Sequence, residues 1–292
     1  MNRILVLRLS ALGDVIHTIP AVAALREEAN VAWVVEAPYR ELVEIVAGVE
    51  AIPVRLKQWG RSPIASRRDM AEALRKMRGA GTSIDFQGLV KSAMLGVFAG
   101  AKKRIGFDRN AIREKPALLF TNRKVPVDPA KHIIEQNLQL IGRESGPPGD
   151  WETYAPTGEK TENIVILPGA GKPEKLWPID RWRQLAKRTN AIAAWGPNER
   201  GLAEQTGARL APPTNLRELA ALLKSARLVV GGDTGPLHLA AALGTKVVGL
   251  YGPTNHRRNG PFGQLGHCIQ AKSMDEISVE AVMNLVQKVA AE

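Results

Sequence analysis

In VVGGDTGPLHLAAALGTKV, residues 229–247, two apolar runs flank a segment of helix-forming residues. The first run ends at a pair of glycines, and the second continues beyond the stretch as VGLY. This alternation predicts a β-α-β unit of a parallel sheet. Asp233 and Thr234 suit the N-cap of the helix and Pro236 suits its first turn, so the stretch also predicts where the helix begins.

The start of that helix predicts an anion site. Backbone N–H groups in a first turn have no partner within the helix, and the helix dipole adds positive potential, so a phosphate is favoured there. Thr234 and Gly235 lie at this point, and His238 follows one turn later. The residues alone leave an alternative open, in which Asp233 only caps the helix and His238 only packs, since any α/β protein needs such a turn.

The order of strand then helix continues along the whole chain, whose 292 residues suit two domains of ordinary size. Residues 144–160 are rich in proline, glycine and polar side chains and predict a linker. We therefore expect an α/β protein with two doubly wound, Rossmann-like domains, 1–150 and 151–277, that face a central cleft. Apolar residues at helical spacing predict a last helix in 278–292, expected to cross back to the first domain.

Charge is concentrated in the first half. The net charge is +11, and residues 55–78 carry eight Lys or Arg against two acids, while residues 102–131 carry nine against three. Residues 63–78 predict a helix after a basic loop that contains Trp59. Such a surface suits an acidic substrate, an anionic membrane or nucleic acid. Aromatic residues make up only 5% and are not interleaved with the basic runs, which argues against single-stranded nucleic acid.

The location of the protein is predicted from what the sequence lacks. No apolar run approaches the roughly 20 residues that span a bilayer. The first residues, MNRILVLRLSALGD, are typical of a strand and a turn rather than of a signal peptide. The single cysteine, Cys268, excludes an internal disulfide and fits a reducing compartment. We expect a cytoplasmic protein without a transmembrane segment.

Two further loops of the second half predict nucleotide chemistry. The stretch ILPGAGK, residues 166–172, ends a predicted strand in small residues that let backbone N–H groups approach a diphosphate, and Lys175 adds a positive charge. It is not a Walker loop, because neither Ser nor Thr follows its lysine. Glu199 follows the next strand, where a carboxylate suits ribose hydroxyls. As alternatives, Lys175 is an ordinary surface lysine, and Glu199 is an acid in the first turn of a helix, where the helix dipole favours it.

In the first half, Asp14 follows the first predicted strand through the loop that contains Ser10 and Gly13. Ligands of open parallel sheets collect at this carboxyl edge, so Asp14 is placed to meet one. As an alternative, or in addition, Asp14 caps its helix. Gln87 lies in a second turn at the same edge.

These motifs resemble the lipopolysaccharide heptosyltransferases, family 9 of the glycosyltransferases, and within it the heptosyltransferase I subgroup. The resemblance lies in DTGPLHLAAALGT (233–245), VVGLYGPT (247–254), KLWP (175–178), SALGDVIHTIPAVAAL (10–25), DFQGLVKSA (85–93) and REKPALLFTNRK (113–124). The chain departs from its relatives in the phosphate loop, where Gly and Ala replace hydroxyl side chains. Its basic loop, 55–68, follows the relatives only loosely.

The resemblance implies a GT-B fold and an inverting transfer of L-glycero-D-manno-heptose from ADP-heptose to the Kdo inner core of lipopolysaccharide. Asp14 is then the general base, and Lys175 stabilises the leaving diphosphate. The resemblance implies a donor site formed by Gly169, Ala170, Gly171, Lys175, Glu199, Asp233, Thr234, Gly235 and His238. The residues expected to hold the acceptor are Ser10, Gly13, Gln87, Arg61, Arg67, Arg113, Arg123 and Lys124.

We expect neither a metal nor a cofactor, because no Asp-x-Asp motif occurs and Cys and His are few and scattered. The expected partners are ADP-heptose and Kdo-lipid A, met by a monomer at the cytoplasmic face of the inner membrane, without nucleic acid. Two alternatives stay open. One is another GT-B enzyme, such as a heptosyltransferase II, a different nucleotide-sugar transferase or an epimerase. The other is a non-enzymatic protein that binds anionic surfaces.

Overall fold

The computed structural model describes residues 2–46, 48–144 and 159–292. The chain divides into two compact units, Met1–Asp150 and Trp151–Glu292. Most of the expected linker, 144–160, lies outside the described residues. Each unit contains a six-stranded sheet whose neighbouring strands all pair in parallel.

The sheet of the first unit has the order β3-β2-β1-β4-β5-β6. Its strands are β1 (Arg3–Leu7), β2 (Asn30–Glu36), β3 (Val49–Val54), β4 (Thr82–Asp85), β5 (Lys103–Phe107) and β6 (Arg123–Val125). Its helices are α1 (Leu12–Arg26), α2 (Arg40–Glu44), α3 (Leu56–Arg61), α4 (Arg67–Met77), α5 (Val90–Phe98) and α6 (Ile133–Leu140). The central strands β1 and β2 are continuous apolar runs because helices cover both faces of such a sheet.

The sheet of the second unit has the order β12-β11-β10-β7-β8-β9. Its strands are β7 (Ile164–Leu167), β8 (Ile192–Ala193), β9 (Arg209–Leu210), β10 (Leu228–Gly232), β11 (Lys246–Tyr251) and β12 (Cys268–Gln270). Its helices are α7 (Ile179–Thr189), α8 (Arg200–Gln205), α9 (Leu216–Ser225), α10 (Gly235–Ala242), α11 (His256–Asn259) and α12 (Val279–Ala291). The two doubly wound sheets confirm the fold class expected from the sequence.

Both sheets reverse their direction of winding at one point. In the first unit β1 pairs with β2 on one side and β4 on the other, and in the second unit β7 pairs with β8 and β10. The loops that follow the two central strands diverge at such a switch point and leave a crevice at the carboxyl edge. In each unit this edge carries the charged side chains described below.

The last helix, α12, packs on the core of the second unit. Val279, Val282, Val286 and Val289 of α12 are buried in the core cluster of the second unit, which also contains Trp182. These four valines of the apolar face are therefore covered within the second unit, and the crossing of this helix to the first domain stays a prediction. Among the described residues, no helix is long and apolar enough to cross a membrane.

Candidate active site

Asp14 lies between two arginines at the switch point of the first unit. It occupies the first turn of α1, where the helix dipole favours a carboxylate. Arg8 Nη2 lies 2.7 Å from Asp14 Oδ1, and Arg113 Nη1 lies 3.4 Å from Asp14 Oδ2. The side chain of Arg8 is 3% exposed, whereas that of Arg113 is 56% exposed. One carboxylate oxygen is thus held by a buried cation and the other by a cation that solvent reaches.

Arg8 is fixed by the elements around it. Its guanidinium donates to the carbonyl oxygen of Phe86, and its own carbonyl accepts a hydrogen bond of 3.0 Å from Trp33 Nε1. Burial lowers the pKa of Arg8 from its ordinary value, and the charge of Asp14 acts in the opposite direction. A buried cation needs a paired anion, so removal of either side chain leaves the other uncompensated. Arg8 was not among the site residues predicted from the sequence, although a charge directly after an apolar strand was a visible signal.

Gln87 supports the loop that leads to Asp14. Its Oε1 accepts hydrogen bonds from Leu9 N at 3.0 Å and from Ser10 N at 3.3 Å. The N–H groups of Gln87 and Gly88 in turn donate to Asp85 Oδ1 at 2.9 and 3.2 Å. Burial raises the pKa of Asp85 to about 6 against these hydrogen bonds. The structure therefore brings Gln87 and Ser10 together at the expected edge, with Gln87 bound to loop backbone and Asp85 as an unexpected support.

Arg113 reaches Asp14 because its segment packs on the turn at Gly88. Gly88 has a φ of +68°, and a Cβ atom there would lie 3.3 Å from Arg113 N. Glu114 N donates to Gly88 O at 3.0 Å, and Glu114 Oε2 accepts from Val90 N at 2.8 Å. These contacts hold two distant segments together at the carboxyl edge, so Arg113 meets Asp14 across 99 positions of sequence.

The other residues expected to hold the acceptor are spread over the first unit. Gly13 adjoins Asp14 in α1, Arg61 ends α3, and Arg67 begins α4. Arg123 and Lys124 are exposed on the edge strand β6. Within residues 2–46, 48–144 and 159–292, no recorded ion pair or hydrogen bond joins any of these four basic side chains to Asp14.

Two more polar side chains lie near Asp14. Burial raises the pKa of Tyr39, and the charges of Glu36 and Asp14 raise it further. Burial also raises the pKa of Glu36, while the charge of Lys91 lowers it. Tyr39 and Glu36 belonged to no motif in the sequence, whereas Lys91 lies in the 85–93 motif; the three come together only through the end of β2 and the start of α5.

Asp233 is the centre of the second unit's site. Lys175 Nζ lies 2.6 Å from Asp233 Oδ2, and His238 Nε2 lies 3.1 Å from Asp233 Oδ1. Burial alone would raise the pKa of Asp233, but the hydrogen bonds and charges of His238 and Lys175 outweigh it and lower the pKa to about 2. Three residues that the sequence placed in one donor site therefore form one ionic cluster.

The start of α10 differs in detail from the expectation. Thr234 is the N-cap residue, and its side chain makes no capping hydrogen bond. Its buried Oγ1 has no hydrogen-bond partner in the described part of the chain. The carboxylate of Asp233 contacts Lys175 and His238 instead of capping the helix. Because a buried hydroxyl without a partner costs about 1–3 kcal/mol, Thr234 and the N–H of Gly235 are suited to a ligand.

Glu199 lies directly on the glycine-rich loop. A Cβ atom at Gly169 would meet the Glu199 carboxylate in its present position, so any larger residue there would force this side chain to shift. Gly196 N donates to Glu199 Oε2 at 2.8 Å and holds the carboxylate in place. Ala170 is half-buried and Gly171 is exposed beside it. The structure therefore brings Glu199 and the phosphate loop together.

Tyr251 lies behind this cluster and was not identified from the sequence. Its buried hydroxyl has no hydrogen-bond partner among the described residues. Burial raises its pKa well above the ordinary value, and the charges of Asp233 and Cys268 act in the same direction. Among the residues that the structure describes, no three His, Cys, Asp or Glu side chains are grouped to hold a metal ion.

Comparison with known proteins assigns the family. Residues 67–286 match glycosyltransferase family 9 (heptosyltransferase). Lipopolysaccharide heptosyltransferase 1 of Escherichia coli K12 is 32% identical, with 90% of this chain and 91% of that protein covered. The protein of the same name from Pseudomonas aeruginosa is 33% identical, with 90% of this chain and 82% of that protein covered.

The solved structures agree. E. coli heptosyltransferase WaaC with ADP has a TM-score of 0.86 at 26% identity, and 98% of this chain and 99% of that chain are covered. The WaaC complex with ADP-2-deoxy-2-fluoro heptose has a TM-score of 0.83 at 27% identity, with the same coverage. The fold is thus of the GT-B type, and the chain belongs to family 9 of the glycosyltransferases, the heptosyltransferases.

Proposed function

We propose that this protein transfers heptose from ADP-heptose to the Kdo inner core of lipopolysaccharide, with inversion, without a metal ion and with Asp14 as general base. Support for the substrates comes from relatives named lipopolysaccharide heptosyltransferase 1, matched over most of their length, and from the WaaC complexes with ADP and a fluorinated ADP-heptose. The observation that carries the catalytic part is the Asp14 carboxylate held by Arg8 on one oxygen and reached by solvent beside the other.

The second unit supplies the donor site. The N–H groups at the start of α10, the hydroxyl of Thr234 and the glycine-rich loop would bind the diphosphate. The ammonium of Lys175 pairs with Asp233. When the donor is bound, this ammonium would also contact the phosphates and stabilise the negative charge that develops on ADP as it leaves. Glu199 would accept hydrogen bonds from the ribose, and His238 would hold Asp233 in place.

The first unit supplies the base. A hydroxyl of the acceptor attacks the anomeric carbon, its proton passes to Asp14, and the bond from that carbon to the diphosphate breaks in the same displacement. A single displacement inverts the anomeric configuration. Arg8 orients the carboxylate through Oδ1, so Oδ2 receives the proton. Arg113 is exposed beside Oδ2 and would move to an anionic group of the acceptor, which uncovers that oxygen.

The acceptor explains the charge of the first unit. The Kdo region carries carboxylates, and exposed Arg61, Arg67, Arg123 and Lys124 offer cations for them. We place the reaction at the cytoplasmic face of the inner membrane, where a monomer would meet Kdo-lipid A. Nucleic acid is not a partner in this proposal, since the basic segments contain few aromatic side chains to stack on bases.

The test is release of ADP from ADP-heptose by the purified protein, with and without Kdo-lipid A and with EDTA present. Release that requires the acceptor and persists in EDTA is the expected result. Release with a heptosylated acceptor only would indicate a heptosyltransferase II, and release of ADP without any acceptor would indicate a hydrolase. An epimerase would convert the sugar nucleotide without net release of ADP. Release that EDTA abolishes would contradict the metal-independent reaction.

A further inference from the structure

Helix α5 presents an apolar face to solvent. Val97 and Phe98 at its end are exposed, and Phe98 is 54% exposed. Val90 and Met94 follow the same side of the helix at helical spacing and are half-buried. The outer side of a helix that covers a sheet ordinarily carries polar and charged residues. A continuous apolar stripe at this place indicates a contact surface.

A neighbouring turn extends this stripe. Leu119, at the end of the Lys115–Leu119 turn, is 82% exposed, and the turn packs against α5. The side chain of Arg104 donates to Phe120 O at 2.8 Å and to Ala101 O at 2.9 Å. Phe120 follows the turn and Ala101 follows α5, so the guanidinium of Arg104 holds the ends of these two segments together. Leu119 therefore lies near the carboxyl end of α5. We call Val90, Met94, Val97, Phe98 and Leu119 the α5 patch.

Cations surround the α5 patch. Residues 91–127 contain nine Lys or Arg and two acids, Asp108 and Glu114. The exposed cations on α5, β5, β6, the Lys115–Leu119 turn and the residue before β5 are Lys91, Lys102, Lys103, Lys115, Arg123 and Lys124. An apolar centre with a cationic rim matches an anionic bilayer, since lysine and arginine reach the phosphates while apolar side chains enter the boundary of the acyl region.

We propose that the α5 patch docks the first unit on an anionic lipid bilayer. The inference rests on the proposed function in one respect, the lipid-linked acceptor. Arg113, which contacts Asp14, precedes the Lys115–Leu119 turn by two residues, so the docking surface continues from the proposed base. Docking there would hold the site near acceptor that is embedded in the same membrane.

The experiment measures binding of the protein to vesicles of phosphatidylglycerol and phosphatidylethanolamine in equal parts, and to vesicles of phosphatidylcholine alone. The wild type binds the anionic vesicles, and high salt weakens the binding. The double variant Phe98→Ser/Leu119→Ser binds about a hundredfold more weakly, because each apolar side chain contributes about a factor of ten to partitioning. The matched control is Phe262→Ser in the second unit, where the side chain is 49% exposed, and its binding equals that of the wild type.

A transfer assay with acceptor dispersed in detergent separates docking from catalysis. The double variant keeps wild-type turnover there and loses it with acceptor in vesicles. Vesicle binding by a wild type that transfers no heptose would refute the proposed function and leave the docking surface supported. Equal vesicle binding by the double variant and the wild type would overturn the inference. So would sedimentation of the wild type as a dimer and of the double variant as a monomer, since the patch would then bind a second copy.

Discussion

The two units place an aspartate at the same kind of position and use it differently. Asp14 follows the central strand β1, and Asp233 follows β10, each at a switch point and each with a cationic or histidine side chain on both oxygens. The Asp14 side chain is 27% exposed and that of Asp233 is 9% exposed. The difference in exposure fits the two proposed roles, because a base must reach its substrate while a carboxylate that only holds Lys175 and His238 need not.

The largest loss of turnover is expected from Asp14→Asn. The amide keeps the shape of the side chain but accepts no proton, so turnover falls about a thousandfold. Steady-state kinetics with ADP-heptose and Kdo-lipid A measure this loss. The matched control is Asp180→Asn, which removes an exposed carboxylate from the first turn of α7 and should leave turnover unchanged. Full activity in Asp14→Asn would refute the base assignment.

A smaller loss of turnover is expected from Lys175→Met, which tests the proposed donor site independently of the proposed base. The change removes the cation that meets both Asp233 and the proposed diphosphate, so affinity for ADP and turnover both fall about a hundredfold. Lys172→Met is the control, because Lys172 is exposed and pairs only loosely with Glu174 at 3.6 Å. An unchanged ADP affinity in Lys175→Met would count against the phosphate role.

The pH dependence of stability should distinguish two buried aspartates. Burial raises the folded-state pKa of Asp85 from its ordinary value to about 6, so the contribution of Asp85 to stability weakens as the pH rises towards 6. Relative to Asp85→Asn, the wild type should lose about 2 kcal/mol of unfolding free energy between pH 4 and 7. The pKa of Asp233 is lowered to about 2, so its contribution is present above pH 4 and is lost as pH falls towards 2.

Urea unfolding of the wild type, Asp85→Asn and Asp233→Asn at a series of pH values measures both effects. Parallel pH profiles for the wild type and Asp85→Asn would show that the buried Asp85 carboxyl group is not titrated in this range.

The smallest loss of turnover is expected from Arg8→Lys. The ammonium keeps the charge but cannot donate to Asp14 and Phe86 O through one planar fork. Turnover falls about tenfold while KM for the donor stays unchanged, since the carboxylate is less well oriented. Arg113→Gln should instead raise KM for the acceptor. An equal loss in donor affinity and turnover for Arg8→Lys would assign a general structural role to Arg8.

Local patterns in the sequence predicted most of the fold. The run VVGG followed by DTGPLHLAAALG specifies β10 and α10 because strand propensity, turn residues and helix start agree within a short stretch. Trp59 shows where this reasoning fails. Its segment was expected to be a loop but forms α3, because the buried indole donates to Asp69 Oδ2 at 2.7 Å, a contact that becomes visible only in the fold.

Some residues of the candidate site were likewise predicted from the sequence, and others were not. Asp14, Lys175 and Asp233 follow strands and were identified from motifs. Arg8 and Asp85 were not, because their importance depends on burial and on partners far along the chain. The last helix shows a related limit, since an apolar face in the sequence indicates that a helix packs but does not indicate against which domain, and the buried valines of α12 lie in the core of the second unit.

In the proposed mechanism the first unit supplies the base and the second unit holds the donor. Calorimetric titration of ADP into Asp14→Asn and Asp233→Asn tests this division of roles. We predict that Asp14→Asn binds ADP with the wild-type Kd, whereas Asp233→Asn, which leaves Lys175 and His238 without their carboxylate, binds at least about tenfold more weakly. An equal loss of ADP affinity in both variants would contradict this division of roles.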